Sequence, residues 1–214
     1  MATAAESNTV SGAGVLAVLA RVPDPRKRRG VRHSITTVLA VAACAVLAGC
    51  RSFTAISEWA ANASEQVLAA LQVHTVPSES CIRRTLQRLD GDELDTAIGQ
   101  WATARTEPAV GRRRAIAVDG KTVRGSGSEV ADARHLLAAI DHCAGVVLGQ
   151  VDVCSKTNEI PMFSQLIEHL DDVEGAVITA DALHAQKAHA DYLVLEREAD
   201  YLLSVKANQP TLHN

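Results

Sequence analysis

The fold class this sequence predicts is an all-helical front followed by an α/β domain built on a mixed five-stranded sheet, and three observations predict it. Apolar residues recur at helical spacing from Val15 to about Trp101. Beyond Arg112-Arg113-Arg114 the period changes to short aliphatic and β-branched runs. These runs are joined first by turns and then by helical stretches, in the order β-β-β-α-β-α-β, which gives a mixed sheet with helices on its faces.

Met1 to Gly14 is rich in small and polar residues and reads as a flexible N-terminus. Ser34 is placed to cap a helix over residues 35–48, which Gly49 ends. Phe53, Ile56 and Ala60 step along one face of the next. After Pro77, Ser78 starts a third helix, in which Ile82, Leu86 and Leu89 fall on one face while Arg83, Arg84 and Arg88 point elsewhere. Asp90-Gly91 breaks it, and Leu94, Ala97, Ile98 and Trp101 resume the spacing. A short helix followed by a basic one fits a helix-turn-helix in a DNA groove, and it fits a bundle helix with a solvated arginine face at least as well. The tetrad Arg26 to Arg29 is likewise more often a solvated stretch than a phosphate clamp.

The polar stretch 102–114 marks the boundary between a helical domain over 15–105 and an α/β domain over 115–214. Residues 115–118, 136–140 and 146–153 read as strands, the last two joined by the hairpin-length turn Asp141 to Gly145. A helix over 159–170 comes next, capped by Thr157 or Asn158 with Pro161 in its first turn. A strand over 176–179, a helix over 186–197 and a strand over 201–205 complete the order.

Composition narrows the class. With 47% apolar residues in a 214-residue chain there is room for a real core, and an aromatic share of 3% means that small aliphatic side chains fill it. Residues 1–114 carry 14 Lys or Arg against 10 Asp or Glu, whereas 115–214 carry 7 against 15. The acidic back half suits a cation site and does not by itself suit DNA. Cys44, Cys50, Cys81, Cys143 and Cys154 are odd in number and form no Cys-x-x-Cys pair, which favours free thiols in a reducing cytoplasm over disulfides or zinc. The basic tetrad, the apolar run 35–47 and Leu47-Ala48-Gly49-Cys50 resemble a lipoprotein signal, but the residues after Cys50 continue at once as an amphipathic helix. The run is too short to span a bilayer, so a buried core helix is the simpler reading.

Two aspartates stand out, Asp119 in Ala-Ile-Ala-Val-Asp-Gly-Lys and Asp181 in Ala-Val-Ile-Thr-Ala-Asp-Ala-Leu-His. Each comes directly after a strand run, and a strand of an open sheet delivers the residue at its end to the carboxyl edge, where such sheets place their chemistry. Two such edges on neighbouring strands can hold one divalent cation, as in metal-dependent phosphoryl transfer. Aspartate after a strand is also a common turn or helix cap.

Eight motifs then carry a resemblance over nearly all of Val15 to Asn214: Val22-Pro23-Asp24-Pro25-Arg26; Leu47-Ala48-Gly49 with Arg51-Ser52-Phe53; Ile56-Ser57-Glu58-Trp59; Pro77-Ser78-Glu79-Ser80; Val118-Asp119-Gly120-Lys121; Lys156-Thr157-Asn158-Glu159-Ile160-Pro161; Thr179-Ala180-Asp181-Ala182-Leu183-His184; and Val205-Lys206-Ala207-Asn208-Gln209. In that order they resemble the ISAs-type insertion-sequence transposases, also called H-repeat-associated proteins, of the DDE superfamily. The resemblance implies a ribonuclease-H-like mixed five-stranded sheet behind a helical domain, and strand cleavage and joining on double-stranded DNA at element ends and target. It implies Mg²⁺ or Mn²⁺ as cofactor, with Asp119 and Asp181 as the first two catalytic acids and metal ligands, Asp119 bridging two ions. The third acid, a glutamate on a helix after the fifth strand, has no counterpart: Glu196 and Glu198 precede that strand and Asn214 comes before the helix could begin. The expectation is therefore a transposase fragment truncated at its C-terminus, with little or no cleavage activity alone. Lys121 could touch a phosphate, His184 could bond Asp181 or DNA, and Lys206, Asn208 and Gln209 could line the DNA channel, although an exposed lysine or histidine is as often merely solvated. The same resemblance implies a homodimer, a cytoplasmic location and no membrane partner. Two other readings stay open: a DNA-binding module or regulator of a full-length transposase using Arg83 and Arg84, and a surface lipoprotein anchored at Cys50.

Overall fold

The computed structural model describes residues 14–29, 31–106, 111–127, 132–153, 159–171, 173–207 and 209. The expected flexible N-terminus, apart from Gly14, and the cap candidates Thr157 and Asn158 lie outside the described residues. The chain divides into two compact units, Met1–Ile98 and Gly99–Asn214.

In the first unit a helical segment at residues 14–19 precedes α1 (Ile35–Leu47), α2 (Phe53–Asn62), α3 (Glu65–Ala70), α4 (Glu79–Leu86) and α5 (Gly91–Thr103), which runs on into the second unit. The Ser34 side chain accepts the Thr37 N–H at 3.0 Å and so satisfies a donor that has no partner within α1. Gly49, at φ +95°, turns the chain out of α1 while Cys50 N–H closes on Ala45 O. Ser52 caps α2 in the same way, and Ser64 caps α3, a short helix whose residues show no clear apolar stripe. Ser78 precedes α4, but its hydroxyl caps nothing. The apolar run that resembled a lipid signal is the core helix: Val38 and Val41 pack with Ile56, Ala60 and Ile82, while Ile35 and Leu39 pack with Leu16, Leu19 and Val22. Among the described residues no helix is long and apolar enough to cross a membrane, and Cys44, Cys50, Cys81 and Cys143 are free thiols.

The second unit is the expected α/β architecture. Strands β1 (Ala115–Thr122), β2 (His135–Asp141), β3 (Val147–Val153), β4 (Val177–Ala180) and β5 (Asp200–Leu203) form one sheet in the order β3-β2-β1-β4-β5. The first three pair antiparallel, and β4 and β5 add parallel to β1, giving the ribonuclease-H-like mixed sheet. Helix α6 (Glu159–Glu168) covers one face, where Phe163, Leu166 and Ile167 meet Ile116, Val118, Leu137 and Ile178.

Two expectations are corrected. Strand β1 does not stop at Val118: it stays paired with β2 through Thr122 opposite His135, so Asp119 and Lys121 are strand residues. The helix expected over 186–197 is α7 (Lys187–Asp191) widening into a π-helical turn, Tyr192–Glu196, that buries Leu193, and a 3-10 turn, Ala182–His184, comes before it. Arg114, buried at the start of β1, pairs with buried Asp141 at 3.5 Å and donates to the Thr103 and Thr106 carbonyls, fixing the end of α5 to the sheet.

Candidate active site

Strand alternation decides where each acid points. Ile116 and Val118 are buried against α6, so Asp119 and Lys121 fall on the opposite side of β1, and both are exposed. In the parallel pair Ala117 lies opposite Thr179 and Val118 opposite Ala180. The next residue of each strand's chain segment is an aspartate, so the register carries Asp119 and Asp181 to adjacent positions just past the Val118–Ala180 pair, at the carboxyl edge of β4.

Their surroundings differ. Asp181 caps the 3-10 turn, its Oδ1 accepting Leu183 N–H at 2.9 Å, which orients the carboxylate and leaves Oδ2 free of that bond. Asp119 has no hydrogen-bond or ion-pair partner among the described residues. Two carboxylates form a hard oxygen donor set suited to Mg²⁺, which typically takes one or two protein carboxylates and completes its shell with water and phosphate. No group of three His, Cys, Asp or Glu side chains among the described residues is arranged to hold a metal ion.

The other site candidates separate. Lys121 is exposed two residues past Asp119 on the same face, and Lys206 is exposed beyond β5. Gln209 is tied down, its amide donating to Ala185 O at 2.7 Å, and Asn208 lies outside the described residues. The His184 side chain corrects the expectation of a group bonding the Asp181 carboxylate or DNA: it is 1% exposed with its Nε2 facing Glu159 at 3.3 Å, and the residue reaches Asp181 through its backbone N–H, which donates to the Asp181 carbonyl at 3.2 Å. Burial comes from the 3-10 turn, which rotates residue 184 inward against Phe163, with ring centroids 5.1 Å apart. In the helical unit Arg83 is taken up by an i,i+4 ion pair with Glu79 at 3.0 Å, whereas Arg84 lines a groove together with Lys27, Arg29, Arg32 and Arg88.

Sequence reasoning missed Glu159. It is half-buried at the start of α6, accepts from His135 Nε2 at 2.7 Å, and lies directly above Gly120, where any Cβ would collide with Oε1. The signal was present: among the resemblance motifs of the α/β half, Glu159 is the one carboxylate besides Asp119 and Asp181.

Two protein families match the chain, one described as DDE_Tnp_1-associated over residues 16–102 and one as Transposase DDE domain over residues 111–213. Among relatives, "Putative transposase YncI" of Escherichia coli strain K12 is 32% identical over 195 residues, covering 90% of this chain and 77% of that protein. The protein of the same name in Escherichia coli O157:H7 is 33% identical, with 49% of its length covered, and "H repeat-associated putative transposase YhhI" of strain K12 is 28% identical, with 50% covered. The chain thus spans about half the length of the latter two. Of solved structures, the cryo-EM piggyBac transposase synaptic complex with hairpin DNA superposes with a TM-score of 0.40 at 10% identity, over 96% of this chain and 53% of that one. With one family matched along the helical unit, another along the sheet and its paired acids, and a 32% identical relative covered over most of its length, the chain belongs to the DDE transposases.

Proposed function

We propose that the α/β unit performs phosphoryl transfer on double-stranded DNA, cutting and joining strands at the ends of an insertion sequence, with Asp119 and Asp181 holding Mg²⁺ or Mn²⁺. The observation that supports this is the register of β1 on β4, in which Val118 lies opposite Ala180 and an aspartate follows each, so that two carboxylates from distant parts of the chain come next to one sheet edge. A bound divalent ion would supply Lewis-acid neutralisation of charge on the attacking and leaving oxygens. Asp119, on a strand paired on both sides, offers a rigid ligand, and Asp181 is aimed by the Leu183 N–H. Lys121, on the Asp119 face, is placed to meet a phosphate. Pairing two element ends calls for two copies, and access to chromosomal DNA for the cytoplasm.

Calorimetric titration with Mn²⁺ tests the site. Binding that disappears in Asp119→Asn and in Asp181→Asn is the expected result, and equal binding by all three proteins overturns it. With two carboxylates and, among the described residues, no third acid beside them, the 214-residue chain should cleave element-end DNA little or not at all; robust cleavage would mean that a further ligand completes the site.

A second reading, DNA holding by the helical unit, is favoured by the basic groove. Lys27, Arg29, Arg32, Arg84 and Arg88 converge on it from two segments over fifty residues apart, and none has an ion-pair partner among the described residues. Fluorescence anisotropy with duplex DNA should find binding at low salt that survives Asp119→Asn and weakens when Arg84 and Arg88 are replaced. Absence of binding at low salt removes this reading.

A further inference from the structure

We infer that Glu159 is a positioning residue, the centre of a His135–Glu159–His184 clamp that fixes the turn carrying Asp181 against the strand carrying Asp119. The inference deepens the proposed metal site and rests on it. Asp119 belongs to a strand bonded on both sides, but Asp181 belongs to a turn, and ligands on turns hold their place less well than ligands on strands. Something must set the distance between the two acids.

Glu159 is built into that gap. Its Oε1 accepts from His135 Nε2 at 2.7 Å and its Oε2 from His184 Nε2 at 3.3 Å, so one carboxylate joins β2 to the 3-10 turn. His135 is itself oriented by Thr122, whose hydroxyl lies 3.0 Å from Nδ1 and donates to it when the ring proton is on Nε2. The carboxylate rests on Gly120, the residue after Asp119, and a Cβ there would push it out of this position. Three separate motifs therefore meet at one carboxylate: Asp119-Gly120, Glu159, and Asp181 to His184.

Two further observations favour a positioning role over direct metal ligation or simple packing. Gly120 alternates onto the α6 face and Asp119 onto the other, so Glu159 backs the site from behind the sheet, with both its oxygens already engaged. His184 is buried with its Nδ1 lacking a hydrogen-bond partner among the described residues, a cost that an apolar side chain in the same place would avoid. The polar contact that its side chain makes is the one from Nε2 to Glu159.

The test uses the 214-residue chain, with Mn²⁺ as the probe, read by electron paramagnetic resonance of the free ion, and with amide hydrogen exchange followed by NMR. Residues that support metal ligands from outside typically change metal affinity by about 10- to 100-fold. Glu159→Gln should therefore weaken Mn²⁺ binding about tenfold or more. It should also speed exchange at Leu183 to Gln186 while leaving the amides of β2 and β3 protected. Gly120→Ala, which displaces the carboxylate from the other side, should have the same two effects, so the idea stays testable if the Glu159 variant fails to fold. Unchanged Mn²⁺ affinity and unchanged exchange in a folded variant of either kind overturn the clamp. Should the unaltered chain bind no Mn²⁺, the metal reading itself fails, and the exchange measurements alone decide whether Glu159 holds the turn.

Discussion

Asp119 and Arg114 stand five residues apart and should respond oppositely to replacement. Asp119 is exposed and partnerless among the described residues, so Asp119→Asn should leave thermal stability within about 0.5 kcal/mol while removing metal binding. Arg114 is buried, with its guanidinium on Asp141 and on the carbonyls of Thr103 and Thr106. Arg114→Ala leaves a buried carboxylate without its cation and should cost about 3–5 kcal/mol in a denaturant titration. His189 gives a pH dependence. It stacks on Phe163 with centroids 4.2 Å apart, and its ring nitrogens lie 3.0 Å from Ile160 O and 3.2 Å from His184 O. Burial pushes its imidazole below the ordinary value; the Ile160 carbonyl opposes this, the nearby His184 ring adds to it, and the His184 carbonyl opposes it. The folded state thus prefers the neutral ring. Its contribution is complete above the unfolded value of about 6.5 and is lost as pH falls through that value toward the lower folded one. Melting temperatures taken from about pH 8 to pH 5 should fall with acid, and fall less in His189→Gln; parallel curves would show that His189 does not carry the effect.

At the level of elements, the sharpest constraint is the meeting of α5 with β3. A Cβ at Gly99 would run into the backbone carbonyl of Leu148, which cannot turn aside as a flexible side chain could. Alanine would gain about 1 kcal/mol in helix propensity, but overpacking typically costs about 1–3 kcal/mol, and backbone crowding puts this site at the upper end. Gly99→Ala should therefore lower the midpoint of urea unfolding with the slope unchanged; an unchanged or raised midpoint would mean that α5 can shift away from β3. Helices with an apolar stripe and a serine cap, such as α1 and α2, were legible in the sequence because cap and stripe are local. The 3-10 turn, the π-helical turn and the far end of β1 were not, because the partners that impose them lie elsewhere in the chain: β2 extends β1, and Glu159 receives His184.

For the molecule as a whole, charge separates along the chain. The helical half carries the excess of Lys and Arg, and the α/β half the excess of Asp and Glu. If the groove of Lys27, Arg29, Arg32, Arg84 and Arg88 tracks a phosphate backbone, the logarithm of duplex affinity should fall linearly with the logarithm of salt concentration. Replacing Arg84 and Arg88 together should flatten that slope by about 2, close to one per lost phosphate contact, and an unaltered slope would place DNA on another surface. The sequence by itself determined the family and the order of strands and helices in the α/β half, because strand runs, caps and short motifs are written in neighbouring residues. Only the tertiary structure decided that His184 is buried, that Gly120 makes room for a carboxylate, that Glu159 joins Gly120 to His184, and that Lys27, Arg29 and Arg32 share a groove with Arg84 and Arg88. Each of these is a contact between segments distant in the chain, set by strand register and helix packing, and spacing along the sequence carries no measure of that distance.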